Sequence, residues 1–247
     1  MSIGWKRAAG GLGAAALGAI ATVAVMSGSG HGGHGGAPDP AATGAIVRSY
    51  ILDHPEIIPE AMGRLQDQQT AQAIAANRAQ IEAPFAGAFA GNPKGDVTLV
   101  EYFDYACGYC RQSVADVDRL VASDPKLRVV YKELPVLDGA ISDRAAQISL
   151  VAAKAGKFGA YHHAVYNGTG PLSDARMDAA AKAVGVDTAG LDSADIVNEI
   201  NANLTTGKSL HMSGTPTFVV GDQLLSGAVG YDALKEAVDK ARAAKTA

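Results

Sequence analysis

The stretch "DVTLVEYFDYACGYCRQSVADVDRLVAS", residues 96 to 123, changes its hydrophobic period midway, and that change restricts the fold more than any other feature of the chain. Up to Tyr105 it is nearly continuous in Val, Leu, Tyr and Phe, the pattern of a strand covered on both faces. From Cys110 onward Val114, Val117, Leu120 and Val121 recur at helical spacing. A buried strand running straight into an amphipathic helix predicts an α/β fold. The junction carries Cys107 and Cys110, the two cysteines of the 247-residue chain.

Two thiols this close support three readings. A disulfide between them closes almost no loop, so as a structural staple it restrains the unfolded chain very little. A zinc site needs a second ligand pair. The chain has no further cysteine, and His31, His34, His54, His162, His163 and His211 show no paired ligand spacing on a helix, so no metal site is expected. Redox chemistry remains. The first turn of a helix offers free N–H groups and the positive end of its dipole, which lower the pKa of a thiol placed there. Cys107 is therefore expected to exchange with a substrate sulfur, and the less accessible Cys110 to resolve the mixed disulfide. The redox-active disulfide Cys107–Cys110 serves in place of a cofactor.

The N-terminus differs in kind. Lys6 and Arg7 precede an uncharged stretch from Ala8 to Met26 and then a glycine-rich tract. This is the layout of an export signal, residues 1–27, either cleaved or kept as an inner-membrane anchor, with the remainder in the periplasm. Residues 28–41 form a Gly/His-rich linker, and "HGGHGG" from His31 reads as a flexible tether before it reads as a metal site. A formal net charge of −4 gives no electrostatic case for nucleic acid.

A second motif lies near the C-terminus. "SGTPTFVVGDQLLSGAVGYDALKEAVDKA" carries Thr215-Pro216 before a strand, a turn at Gly221-Asp222, a second strand, and an amphipathic helix from Tyr231. With CxxC at a strand–helix junction, this resembles the exported DsbA-like thiol:disulfide oxidoreductases of the thioredoxin superfamily, including the DsbC and ScsC kinds. The resemblance runs from about Pro93 to the C-terminus. It implies a thioredoxin fold with a helical insertion at about 138–211, within a domain spanning 85–247. It also implies that Pro216 is cis against the cysteines, that the backbone of Thr215 pairs with substrate, and that Gly108 and Tyr109 contact substrate and tune the thiols.

Glu101 falls in the middle of the buried strand, where a carboxylate is costly unless paired or protonated. Burial should raise its pKa and let it take or return the proton of Cys110. The resemblance places Lys132, from "VVYKELP", beside that acid. Strong oxidases of the family carry Pro-His between the cysteines. Gly-Tyr, with threonine before the proline, is similar to the oligomeric disulfide isomerases. The resemblance therefore implies an isomerase or reductase acting on exported cysteine-containing proteins and served by a membrane redox partner of DsbB or DsbD type. A monomeric dithiol oxidase is the alternative, and a client-binding chaperone with incidental thiols is a reading of another class.

Residues 142 to 211 read as helices opened by Ser-Asp caps. Within them Tyr161, His162, His163 and Tyr166 stand at helical spacing, as core residues or as the lining of a substrate groove. Residues 42–84 read as a short helix, a break near Asp53 to Pro55, and a long helix to about Ala83. Its apolar stripe of Ile58, Met62 and Leu65, resumed by Ile74 and Ile81 after the glutamine-rich gap "QDQQTAQ", predicts a stalk held away from the catalytic domain, packing in a dimer or trimer. The competing expectation is a helix packed back on its own domain.

Overall fold

The computed structural model describes residues 39–246. The export signal and the HGGHGG tract lie outside the described residues. One compact unit ends at Asp53 and the other runs from His54. The first contributes α1 (Pro40–Asp53), which has no buried residue and exposes Ile46, Val47, Tyr50 and Leu52. Among the described residues no helix is long and apolar enough to cross a membrane.

The second unit is built on a five-stranded sheet of order β1-β3-β2-β4-β5. Its strands are β1 (Phe89–Gly91), β2 (Val97–Phe103), β3 (Leu127–Glu133), β4 (Thr217–Val220) and β5 (Gln223–Ser226). β2 pairs β3 in parallel and β4 antiparallel, and all seven of its residues are buried, as its unbroken apolar run requires. The helices α3 (Gly108–Ser123) and α8 (Tyr231–Ala244) cover one face, where Leu99, Phe103, Val129 and Phe218 meet Val117, Leu120, Leu234 and Val238. Their side-chain core continues into α4 (Gly139–Lys154), α5 (Phe158–Asn167) and α6 (Asp174–Val184), the helical insertion. The other face packs Val100, Tyr102, Val130 and Val219 against α2 (Ile57–Glu82) and the region following α7 (Ala194–Ser209). The architecture is a thioredoxin-like α/β fold with a helical insertion.

Two local expectations are corrected. The stripe of α2 divides: Ile58, Met62 and Leu65 are exposed, whereas Ile74 (0% exposed) and Ile81 are buried against the sheet. Arg78, between them, donates to the carbonyl of Gly221 in the β4–β5 turn at 3.1 Å and pairs with Asp222. The second half of this helix is therefore a layer of the catalytic unit, because the sheet face of Val100, Tyr102 and Val130 has to be covered. The second correction concerns capping. Ser173 caps α6, but α4 begins at Gly139, three residues before Ser142, whose hydroxyl instead donates to Asp104 at 2.8 Å.

Candidate active site

β2 ends at Phe103, and the four residues Asp104 to Cys107 carry the chain into α3. Asp104 holds this loop. Its carboxylate accepts from the backbone N–H of Ala106 (2.9 Å), Val136 (2.9 Å) and Leu137 (3.0 Å) and from Ser142, while its carbonyl accepts from Cys107 N–H (2.9 Å). Cys107 is the N-cap of α3, and its sulfur accepts from Cys110 N–H at 3.4 Å. Both thiols are free.

The surroundings of the two sulfurs push them apart chemically. Hydrogen bonding from the Cys110 thiol is the largest effect on Cys107, opposed by burial and reinforced by the Thr215 side chain and the N–H groups of Cys110 and Tyr109. The result is a thiol brought down from 9.0 to about 5. As a neutral thiol Cys107 donates to the Thr215 carbonyl at 3.1 Å. The Thr215 hydroxyl is buried without a hydrogen-bonding partner among the described residues, near enough to Cys107 to favour its thiolate. Cys110 goes the other way: burial, its bond to Cys107 and the charge of Glu101 push its pKa far up. Their surroundings thus favour a thiolate at Cys107 and a protonated thiol at Cys110 near neutral pH.

The Thr215–Pro216 peptide bond is cis and stands directly before β4. Cys107 itself is buried at 6% exposure, whereas Tyr109 beside it is 66% exposed and a side chain added at Gly108 would meet nothing within 4 Å. Glu101 is 2% exposed, and burial first, then the charges of Cys107 and Asp118, raise its pKa from 4.5 to about 8.

Lys132 does not stand beside Glu101. In the parallel β2–β3 register Glu101 lies opposite Tyr131 and Tyr102 opposite Lys132. Partners across a ladder share a face and successive residues alternate, so Glu101 shares the α3 face with Cys110 while Lys132 points to the α2 and α7 side. There its Nζ pairs with Glu199 of α7 at 2.8 Å. The buried ionisable residue of β3 with the parity of Tyr131 is Glu133, which the sequence reading missed. Counting alternate positions from Tyr131 would have found it.

Three of the four insertion aromatics, Tyr161, His162 and Tyr166, are buried core residues. His163 turns outward to pair with Asp118 at 2.9 Å. An apolar groove of about 270 Å³, also absent from the sequence reading, runs between Leu134 and Leu137 after β3, Leu204 of α7, and Met212 to Gly214 before Thr215.

Comparisons with known proteins agree with this geometry. The DSBA-like thioredoxin domain matches residues 98–239, and the copper resistance protein ScsC N-terminal domain matches residues 40–72. A thioredoxin-like oxidoreductase from Silicibacter pomeroyi is 40% identical with a TM-score of 0.64, covering 67% of this chain and 98% of that one. Proteus mirabilis ScsC in a transitional conformation is 28% identical with a TM-score of 0.65, covering 82% of this chain and 96% of that one. The Na(+)/H(+) antiporter NhaA of Herminiimonas arsenicoxydans is 31% identical over 149 residues, 58% of this chain. The match spans only 23% of that curated relative's length.

Proposed function

This chain belongs to the DSBA-like thioredoxin domain family, and from that membership we propose that it is a periplasmic thiol:disulfide oxidoreductase working as a disulfide isomerase or reductase. The observation that carries the reading is the opposed pair of sulfurs, one stabilised as a thiolate at the start of α3 and the other protonated behind it. The Cys107 thiolate attacks one sulfur of a client disulfide, forming a Cys107–client S–S bond and releasing the client's other sulfur as thiolate. In isomerisation a different client thiolate then attacks the mixed disulfide and frees Cys107. In reduction Cys110 attacks the Cys107 sulfur, the client leaves fully reduced, and two electrons have passed to it from the enzyme. The proton that Cys110 sheds goes to Glu101 in its ionised form, which a pKa of about 8 keeps at about a tenth of the molecules at pH 7 and at half near pH 8.

Client binding draws on the backbone of Thr215, on Gly108 and Tyr109, and on the apolar groove that ends at Gly214. A membrane protein of DsbB or DsbD type resets the pair. Assembly into a dimer or trimer rests on exposed apolar residues, Ile46, Val47, Tyr50 and Leu52 of α1 and Ile58, Met62 and Leu65 of α2, all inside the 40–72 match. The docking of Ile74 and Ile81 favours a second reading, a monomeric dithiol oxidase, because it shortens the helix left for assembly.

Refolding of a scrambled-disulfide protein, with and without residues 42–72, together with the reduction potential of the pair, tests the proposal. Isomerase activity that disappears with the stalk supports it. Fast dithiol oxidation by a monomer establishes the second reading instead, and folding assistance that survives Cys107→Ser makes the protein a chaperone.

A further inference from the structure

Glu133 is the last residue of β3 and is 2% exposed. One carboxyl oxygen, Oε1, has no hydrogen-bonding partner among the described residues; burial pushes the carboxyl's pKa well up, and the Ser149 hydroxyl of α4 is the neighbouring hydrogen-bonding group that acts on it. Ser149 is fully buried, and its Oγ lies 3.0 Å from the Tyr105 hydroxyl. That hydroxyl lies 3.2 Å from Nδ1 of His162 on α5. Tyr105 stands two residues before Cys107, in the loop that Asp104 ties down. A line of polar side chains thus leads from the end of β3, through α4, to the loop carrying the nucleophile, and ends on α5.

The direction of this line follows from charge. An ionised carboxylate buried without a cation is among the costliest arrangements a protein can hold. The charged groups acting most strongly on Glu133 are Asp104, Glu101 and Glu199, all acids, and Lys132 points to the opposite face. Tyr105, Tyr161 and Tyr166 also lie within its field. A neutral carboxyl, by contrast, donates its O–H to Ser149. Ser149 then donates to Tyr105, and Tyr105 to Nδ1 of His162, which burial keeps neutral and able to accept. Each hydroxyl then receives one hydrogen bond and gives one, and only the second carboxyl oxygen of Glu133 is left without a partner among the described residues, a smaller cost for a neutral carboxyl than for a carboxylate.

We propose that Glu133 is a protonated positioning residue for the nucleophile, heading a hydrogen-bonded chain through Ser149 and Tyr105 to His162 that holds the Asp104–Cys107 loop at the start of α3. It rests on the reading of Cys107 as the attacking thiol. Loss of the chain lets the loop relax, and the Cys107 sulfur then loses part of its hydrogen bonding to Cys110 and Thr215.

The test is the pH profile of Cys107 alkylation by iodoacetamide in the full chain. Glu133→Gln keeps the size and a donor, so its midpoint should stay with the wild type. Glu133→Leu and Tyr105→Phe should each move it up by about one pH unit, a tenfold loss of alkylation rate below the midpoint. Both cut the same chain, so the double variant should be no worse than either single one. The infrared difference spectrum of wild type against Glu133→Gln should show a protonated-carboxyl C=O band at neutral pH. A midpoint shift in Glu133→Gln matching that in Glu133→Leu, additive effects, or no such band overturns the proposal. If Glu133→Leu does not fold, Ser149→Ala takes its place in the cycle with Tyr105→Phe. If wild-type Cys107 is no more reactive than an ordinary thiol, the proposed function fails, and the infrared band still decides whether Glu133 holds its proton.

Discussion

Substituting Glu101 by glutamine tests the electrostatics of the site through the stability of the fold. Burial holds the Glu101 proton in the folded state up to about pH 8, whereas in the unfolded chain it is released near 4.5. The folded protein therefore binds more protons than the unfolded one between those values, and stability falls as pH rises through that window. At about 1.36 kcal/mol per pH unit the full cost above pH 8 is about 5 kcal/mol, an upper bound that water penetration and relaxation reduce. Glutamine has the same shape and no charge to bury. Urea unfolding of the reduced wild type and of Glu101→Gln should differ by a small constant below pH 4.5, and the variant should gain progressively until about pH 8. The opposite trend of the Cys107 thiolate, which is lowered in the fold and so adds stability as pH rises from about 5, is present in both proteins and largely cancels in the difference. A difference that stays flat across the window would mean that Glu101 is ionised throughout and compensated, and the pKa of about 8 would fall with it. The same variant should slow mixed-disulfide resolution by Cys110 while leaving first attack by Cys107 intact.

Alkylation of the reduced protein should label Cys107 with a midpoint near pH 5 and leave Cys110 unmodified, read by mass spectrometry. Lys132→Met should cost about 2–4 kcal/mol in urea unfolding, because Glu199 loses its partner in a mostly buried site, yet leave the alkylation midpoint in place. A shifted midpoint would put Lys132 back beside the thiols. Ile74→Ala should destabilise the protein by about 2–5 kcal/mol, whereas Met62→Ser, on the exposed part of the same helix, should stay within about 0.5 kcal/mol and act instead on the mass seen by ultracentrifugation.

The chemistry of the centre was legible because it is local. The period change at Tyr105 to Cys110 sets a strand end and a helix start at fixed distance along the chain, and both cysteines lie inside that junction. The Thr215-Pro216 motif was legible for the same reason, since its strand, turn and strand follow within a dozen residues. Reading failed where a decision depends on a partner far away in sequence. For α2 the apolar positions lie on either side of a glutamine-rich gap, and only the uncovered sheet face under Ile74 and Ile81 decides that the second group is docked while the first stays exposed. For Lys132 and Glu133, adjacent in sequence, only pairing with β2 says which one faces the thiols.

By itself the sequence determined that a strand hands the chain to a helix at a vicinal thiol pair, and hence that one sulfur meets unpaired N–H groups, because backbone hydrogen bonding and hydrophobic period are properties of neighbours along the chain. Tertiary structure alone decided which acids surround those sulfurs, that the amine of Lys132 is turned away, and how much of α2 remains free. Those outcomes rest on the side-chain alternation and register of strands brought together from distant parts of the chain, where a shift of one residue exchanges the two faces of the sheet.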